Sequence, residues 1–397
     1  ESAIKNNERV DVHLTKAQNE YVLAGNNMGF SLVKCMDNLD TQDVLLSPLS
    51  VQIALGMLAI GAEGETLDEI VATMGYGDSR RETISYLATL SEQIKRLDSD
   101  SELSISNALL LNDNGLTSIL KSYLDVLSLY QDCRVFSCDF SIEQTLVCNE
   151  VNAWSSDVTN GLIPRVIAPE ELLPSYVAVL INSLSFSGVW DHTFDKENTY
   201  DEPFWGGPGT SSKKPMMHQR NLFYYFEDEK CQALTMDYGN GAFRFMSILP
   251  CKGFAISDIV ESLNEVSFRE MIESSKEIDV EVSLPQFEFE SEIALNKLFD
   301  GIGLRQMFTD KANFSSMAET GSGKVFISVA KQKSHIKVDE SGSKASAASR
   351  FDADIFTALP SGSFYGIKVF KADHPFLFTI FERSSGTIIF IGTYTGN

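Results

Sequence analysis

The chain has little cysteine and little positive charge, and each shortage excludes a class of protein. Its six cysteines are spread over 397 residues with no Cys-x-x-Cys pair and no cysteine-histidine spacing typical of zinc sites, which argues against a metal centre or a disulfide scaffold. Whether the cysteines pair or stay free thiols is left open. Lys and Arg number 32 against 55 acidic residues, for a formal charge of -23. Such a surface repels nucleic-acid phosphates, so we expect no nucleic-acid partner.

The clustered basic residues do not have the sequence pattern of a polyanion-binding site. The pairs Arg80-Arg81 and Lys95-Arg96 are separated by acidic residues, which is typical of a solvated helix face. We therefore predict no heparin-type basic patch.

Signatures of enzymes and of cofactor sites are also missing. The sequence has no G-x-S-x-G, no H-E-x-x-H and no G-x-G-x-x-G opening a helix. The stretch 321-GSGKV has Ala318 in place of the first phosphate-loop glycine and Val325 in place of the required Ser or Thr. Five histidines lie in different predicted elements, and we interpret them as structural, although a Ser-His-Asp grouping stays open at this stage. We predict a non-enzyme without a cofactor.

One apolar run could be mistaken for a membrane span. No residue from Val44 to Ala62 is charged, but Ser47-Pro48 is a helix-start signal and polar residues follow within the next turn, so we predict a buried core helix. The first residues, 1-ESAIKNN, contain no apolar run. We expect either a processed form that acts outside the cell or at its surface, or a cytosolic protein.

The organisation predicts an α+β fold. Length alone would allow two or three domains, but no linker divides the chain, and we predict one domain over 1–397. Helical periodicity covers 20–37, the helix from Ser47, 66–74, 81–97, 118–130 and 142–158. Strand-like segments cover 177–186, 242–249, 280–289, 324–338 and a hairpin at 376–391.

The stretch 340-ESGSKASAASRFDADIF alternates with a period of two. One set of alternate residues is uncharged and mostly small, comprising Ser343, Ala345, Ala347, Ser349, Phe351, Ala353 and Ile355. The other carries every charge after Gly342 and comprises Lys344, Ser346, Ala348, Arg350, Asp352, Asp354 and Phe356. A segment with the composition of a loop therefore has the pattern of a strand with one buried face and one solvent face.

Six motifs, one of them in two parts, resemble in order the signature segments of the serpins. They are 47-SPLSVQIALGMLAIGAEGET, 152-NAWSSDVTNGLI with 181-INSLSFSGVWDHTF, the 216-MM-217 strand, 283-SLPQF, 372-ADHPFLF and 390-FIG. The resemblance spans nearly the whole chain. It implies three β-sheets, about nine helices and an exposed reactive-centre loop at about 340–366, which enters the central sheet as a strand after cleavage.

The resemblance also implies a monomeric inhibitor that traps a serine protease. The protease attacks the loop and forms an acyl-enzyme, and loop insertion then distorts its active site before hydrolysis finishes. The spacing typical of the family, counted from the hinge residue Glu340, places the cut at Phe356-Thr357, whereas Phe364 and Tyr365 are alternatives because the distal loop is long. Phe356 indicates a chymotrypsin-like protease, with a cysteine protease as the second choice.

Further positions are carried over from the family pattern. Glu340 and Gly342 match the hinge, together with the small residues Ser343, Ala345, Ala347, Ala348 and Ser349. Ser47, Ser50 and Asn182 match the shutter that controls opening of the central sheet, and Trp190 matches the point where insertion begins. Two positions depart from the pattern: Lys344 replaces an acid, and Gln332 stands where many members have histidine.

A serpin that does not inhibit, and acts as a carrier, storage protein or chaperone, is the alternative. Such members usually have bulky, charged or proline residues at inward hinge positions. None occurs at the inward positions from Ser343 to Ser349, which favours inhibition.

Overall fold

The computed structural model describes residues 8–76, 80–113, 115, 117–130, 133–207, 210–321, 324–343 and 366–397. Within these ranges the chain forms nine α-helices: α1 Lys16–Lys34, α2 Pro48–Gly61, α3 Gly64–Met74, α4 Arg80–Ile94, α5 Lys121–Leu127, α6 Gln144–Val158, α7 Ile256–Ser262, α8 Glu265–Ser274 and α9 Leu295–Gly301.

Sixteen strands make up three sheets in the same ranges. The strands are β1 Val44–Leu46, β2 Ser101–Asn112, β3 Thr117–Ile119, β4 Cys133–Cys138, β5 Ala178–Gly188, β6 Thr199–Gly207, β7 Thr210–Glu227, β8 Cys231–Tyr238, β9 Phe243–Pro250, β10 Lys276–Pro285, β11 Phe287–Ala294, β12 Ala318–Thr320, β13 Ile327–Val338, β14 Lys368–Lys371, β15 Phe376–Glu382 and β16 Ile388–Tyr394. The sheets have nine, five and two strands. The predicted α+β class, with three sheets and about nine helices, is confirmed.

Helix α2 accounts for the uncharged run. The Ser47 hydroxyl accepts a hydrogen bond from the Ser50 N–H at 3.2 Å, Pro48 is the first helical residue, and every residue from Pro48 to Gly61 is buried. The helix packs between the five-stranded sheet, α4, α5 and β16. Among the described helices, none is both long and apolar enough to cross a bilayer.

The five-stranded sheet has the order β11-β13-β5-β2-β4. Strand β5 lies at its centre and is buried along its whole length. The even-numbered residues Leu180, Leu184 and Phe186 belong to the main core together with α2, whereas the odd-numbered Val179 and Ile181 pack with residues of α6. The sheet thus has an inner face on α2 and an outer face partly covered by α6.

Two predicted elements were wrong in detail, and one strand was missed. The predicted helix at 118–130 is strand β3 followed by the short α5, and the predicted strand at 280–289 is divided between β10 and β11 in different sheets. Strand β2, SELSISNALLLN, was missed because its serines and asparagine are buried although they are polar. A sequence pattern places such polar residues at the surface. Here the Ser106 hydroxyl contacts that of Ser183, and the Asn107 side-chain oxygen accepts from Asn182, both on the neighbouring β5.

Candidate functional site

A seam between two parallel strands runs through the five-stranded sheet. Strands β13 and β5 pair from Ile327 opposite Ala178 to His335 opposite Ser185. Beyond this point β5 continues to Gly188 paired with β2 alone, while β13 continues to Val338 paired with β11 alone. The two strands therefore separate at one end, and an opening in the sheet is left there.

A turn from Asp339 to Ser343 fills this opening. The Asp339 N–H donates to the Gly342 carbonyl at 2.8 Å, and the Ser343 N–H donates to the Gly188 carbonyl at 2.6 Å. Gly342 forms an antiparallel bridge with Val189. Its φ of +131° and a Gly188 oxygen only 2.2 Å from a would-be Cβ explain why glycine is needed here. The chain after β13 thus already runs back along β5.

Aromatic side chains hold the turn in place. The Trp190 ring stacks on Tyr238 with centroids 4.3 Å apart, and its Nε1–H donates to the Asp339 carbonyl at 2.9 Å. The Tyr238 hydroxyl lies 2.8 Å from the Ser343 hydroxyl, and burial raises the pKa of Tyr238 so that it stays protonated. The Phe194 N–H donates to the Glu340 carbonyl at 2.9 Å. The structure therefore brings Trp190, Glu340, Gly342 and Ser343 together, and Ser343 is only 5% exposed.

A second group of predicted residues meets halfway along the seam. The Asn182 amide contacts Ser50 and Asn107, donating to the Ser50 carbonyl at 2.9 Å. These contacts connect β5 with β2 and with the first turn of α2. The structure thus brings Ser47, Ser50 and Asn182 into one buried polar cluster.

Gln332 completes this cluster from β13. Its side-chain oxygen accepts from the Ser47 N–H at 2.7 Å, and its amide donates to the Ser47 carbonyl at 3.1 Å and to the Asn182 side-chain oxygen. Gln332 is fully buried. Glutamine in place of histidine at position 332 therefore preserves hydrogen bonding across the seam. Unlike an imidazole, its amide cannot change its charge.

We expect Gln332→His to make stability depend on pH. A neutral imidazole can exchange hydrogen bonds with Ser47, but the described partners of residue 332 are all neutral, so protonation would bury an unpaired cation. The folded-state pKa of the new histidine would lie below its unfolded value of about 6.5. The unfolded state then binds more protons, so stability is lost as the pH falls, by about 1.4 kcal/mol per unit below pH 6.5.

The measurement is urea unfolding of both proteins between pH 7.5 and 5. Subtracting the wild-type curve removes the other titrating groups. If the difference in unfolding free energy between variant and wild type stays constant across this range, the new imidazole does not stay inside the neutral cluster. The prediction would then be wrong.

Sequence reasoning missed an ion pair on the outer face of the seam. The Lys331 ammonium is 2.8 Å from Glu171, in the connection between α6 and β5, and 3.5 Å from Glu292 on β11. Partial burial would raise the pKa of Glu171, but the bond to Lys331 lowers it overall. Lys331 is itself 7% exposed. The pair joins the α6 connection to β13, and no motif connects these positions.

The other chemically reactive side chains have structural surroundings. All six cysteines are free thiols, and burial raises the pKa of Cys148 to about 11, which suppresses its thiolate. His335 is 3.2 Å from Glu288 and His374 is 3.0 Å from Asp373. Both contacts are hydrogen bonds.

Several predicted site residues lie outside the described residues. They are the hinge positions Ala345, Ala347, Ala348 and Ser349, the predicted reactive bond Phe356-Thr357, and the alternatives Phe364 and Tyr365.

Comparison with known proteins agrees with this architecture. The profile of the family described as Serpin (serine protease inhibitor) matches residues 23–396. Neuroserpin of Rattus norvegicus is 32% identical over 362 residues, which cover 89% of this chain and 86% of neuroserpin.

Two solved structures are similar over nearly the whole chain. The native state of the thermophilic serpin tengpin has a TM-score of 0.86 and 27% identity, covering 99% of this chain and 98% of tengpin. Human thyroxine-binding globulin has a TM-score of 0.85, and the similar region covers 96% of this chain and 99% of the globulin. Because the two are only 24% identical, this similarity shows the fold alone. The chain belongs to the serpin family.

Proposed function

We propose that this chain is a suicide-substrate inhibitor of a serine protease and works by inserting its cleaved loop into the β13/β5 seam. The observation that carries the proposal is the antiparallel bridge between Val189 and Gly342 at the open end of that seam. A strand returning from β13 by a tight turn is antiparallel to both β13 and β5. The turn at Asp339–Ser343 therefore starts the strand that insertion would extend.

The bridge also supplies a register for the inserted strand. Continued along β5, it puts Ala345 opposite Phe186, Ser349 opposite Asn182 and Ala353 opposite Ala178, the first residue of β5. Paired residues of neighbouring strands share a face. The uncharged alternate set would thus lie with the even-numbered β5 residues on the inner face against α2.

Ser349 has a specific place in this register. Insertion has to separate Gln332 from Asn182 and break their direct hydrogen bond. A serine hydroxyl placed between the two amides can donate to one and accept from the other. This hydrogen bonding would explain why position 349 of the small, uncharged set carries a polar side chain.

The outer face imposes a cost on insertion. Arg350 would lie beside Ile181, whose side chain packs with residues of α6. The solvent face predicted for Arg350 therefore requires α6 to move aside, together with the Lys331–Glu171 pair. Full insertion then depends on displacing this cover.

The strand length supports Phe356-Thr357 as the bond that is cut. Residues 343–353 match the full length of β5 in the proposed register, and Phe356 follows only three residues later. A cut after Phe364 or Tyr365 would leave about ten residues beyond the end of β5 with no strand to pair with. The count from Glu340 and the length of the seam thus agree.

The trapping chemistry uses the protease's own catalytic groups. The active-site serine oxygen bonds to the Phe356 carbonyl carbon, the peptide bond to Thr357 breaks, and the protease histidine delivers a proton to the departing amine. The resulting ester joins protease and inhibitor. Insertion must move this ester before water attacks it, because completed hydrolysis would release an active protease.

Phe356 favours a protease with a deep apolar primary pocket of the chymotrypsin type. Asp352 and Asp354 precede it and would disfavour proteases with acidic substrate grooves. A cysteine protease is a weaker alternative target. We propose further that the protein acts as a monomer, outside the cell or at its surface.

The decisive test is covalent trapping by chymotrypsin. Incubation should give a complex that survives denaturing electrophoresis. N-terminal sequencing should show that the released peptide begins at Thr357. Phe356→Glu should abolish the complex, whereas the matched variant Phe364→Glu should retain it. Cleavage without a complex for every protease with an apolar pocket would overturn inhibition, and cleavage after Phe364 or Tyr365 would overturn only the assigned bond.

A further inference from the structure

A wide groove lies between α3, α4 and α5, away from the seam. It has a volume of about 1030 Å³, which is at the upper end for small-molecule sites. Its wall is apolar and is formed by Leu67, Ile84, Ala88, Val126, Leu129 and the ring of Tyr130. Leu129 is 64% exposed. A soluble protein gains by covering such a surface.

The rim of the groove is basic although the protein is strongly acidic. Arg80, Arg81, Lys95 and Arg96 line it together with only two acids, Glu63 and Glu92. Arg80 lies 3.0 Å from Glu63 and Arg96 lies 3.1 Å from Glu92. Among these described lining residues, basic side chains outnumber acidic ones by four to two, whereas the whole chain has a net charge of -23. In addition, the Arg80 Nε is buried without a hydrogen-bond partner among the described groups.

We propose that this groove binds a free long-chain carboxylate. The acyl chain would cover the apolar wall between α4 and α5, and the carboxylate would lie at the basic rim with Arg81. Each methylene removed from water contributes to binding, and a guanidinium is a strong donor to a carboxylate.

A sulfated polysaccharide fits the same surface less well. Its recognition needs a continuous basic strip, whereas Glu63 and Glu92 interrupt this one. It also leaves the apolar wall uncovered. The combination of an apolar wall and a local excess of positive charge matches an amphipathic anion.

Calorimetric titration with octanoate, decanoate and dodecanoate below their micelle concentrations tests the proposal on the intact protein. Each additional pair of methylenes should lower the Kd about tenfold. Decyltrimethylammonium, which has the opposite charge, should bind at least tenfold more weakly than decanoate.

Variants then locate the site. Arg81→Glu, at an exposed position, should weaken decanoate binding at least tenfold, whereas Lys252→Glu, which is exposed elsewhere, should leave it unchanged. Ala88→Trp should block the groove, and its melting curve shows whether the variant is folded. The proposal is overturned if the Kd does not depend on chain length, if Arg81→Glu binds decanoate as the wild type does, or if a heparin oligosaccharide binds here while the carboxylates do not.

Discussion

Ala345→Asp is expected to convert the proposed inhibitor into a substrate. In the inserted strand that we propose, continuing the Val189–Gly342 bridge would place residue 345 opposite Phe186 on the inner face. The Phe186 ring is buried and has its centroid 5.0 Å from that of Tyr238 and 5.3 Å from that of Phe243. A carboxylate inserted among these rings would be desolvated without a cation, at a cost of several kcal/mol.

The consequence is kinetic, because insertion competes with hydrolysis of the acyl-enzyme. A barrier higher by about 1.4 kcal/mol slows insertion roughly tenfold, and most encounters then end in turnover. Recognition of Phe356 should stay nearly unchanged. The measurement is the number of inhibitor molecules consumed per protease molecule trapped. This number equals one plus the ratio of the hydrolysis rate to the insertion rate, and it should rise severalfold.

Lys344→Glu is the matched control. Residue 344 would lie beside Ser187 on the opposite face, away from the aromatic rings, so trapping should be largely retained. Ser343→Arg should also raise the number consumed, but it acts earlier, because Ser343 is already buried against Tyr238 before any cut. Equal effects of Ala345→Asp and Lys344→Glu would contradict the proposed register and the period-two interpretation.

The second large effect is a gain in heat resistance after cleavage. Insertion would replace the parallel pairing of β13 and β5 by two antiparallel pairings, which are slightly more stable per residue. It would also bury the Phe351 side chain, which contributes about 1.5–3 kcal/mol to stability. In the proposed mechanism, the uncut protein would not yet have this stabilisation. Cutting the loop should therefore raise the Tm by on the order of 10 °C or more.

Calorimetric scans of the intact and cut protein measure this difference. Cut Ala345→Asp provides the control, because it has the same broken bond but a strand that inserts poorly, and its gain in Tm should be smaller. Identical melting of cut and intact wild type would rule out insertion of the loop.

The sequence predicted most of what depends on local pattern. The capping signal at Ser47 and the uncharged run predicted α2, and the buried helix follows from these residues alone. Such a helix inference succeeds because helix starts are set by residues within a few positions of one another. The interpretation of the period of two after Glu340 as a strand with one buried face stays a prediction, because residues 344–356 lie outside the described residues.

The tertiary structure decided which strands are neighbours and which polar groups meet. Strand periodicity is the same for parallel and antiparallel partners, so it could not reveal the β13/β5 seam. Ser343 meets Tyr238 across 105 positions, and Gln332 meets Ser47 across 285. The hydrogen bonds of Gln332 and the closing turn thus depend on contacts distant in sequence. A buried amide needs a partner, but only the folded chain determines which groups come near enough to provide it.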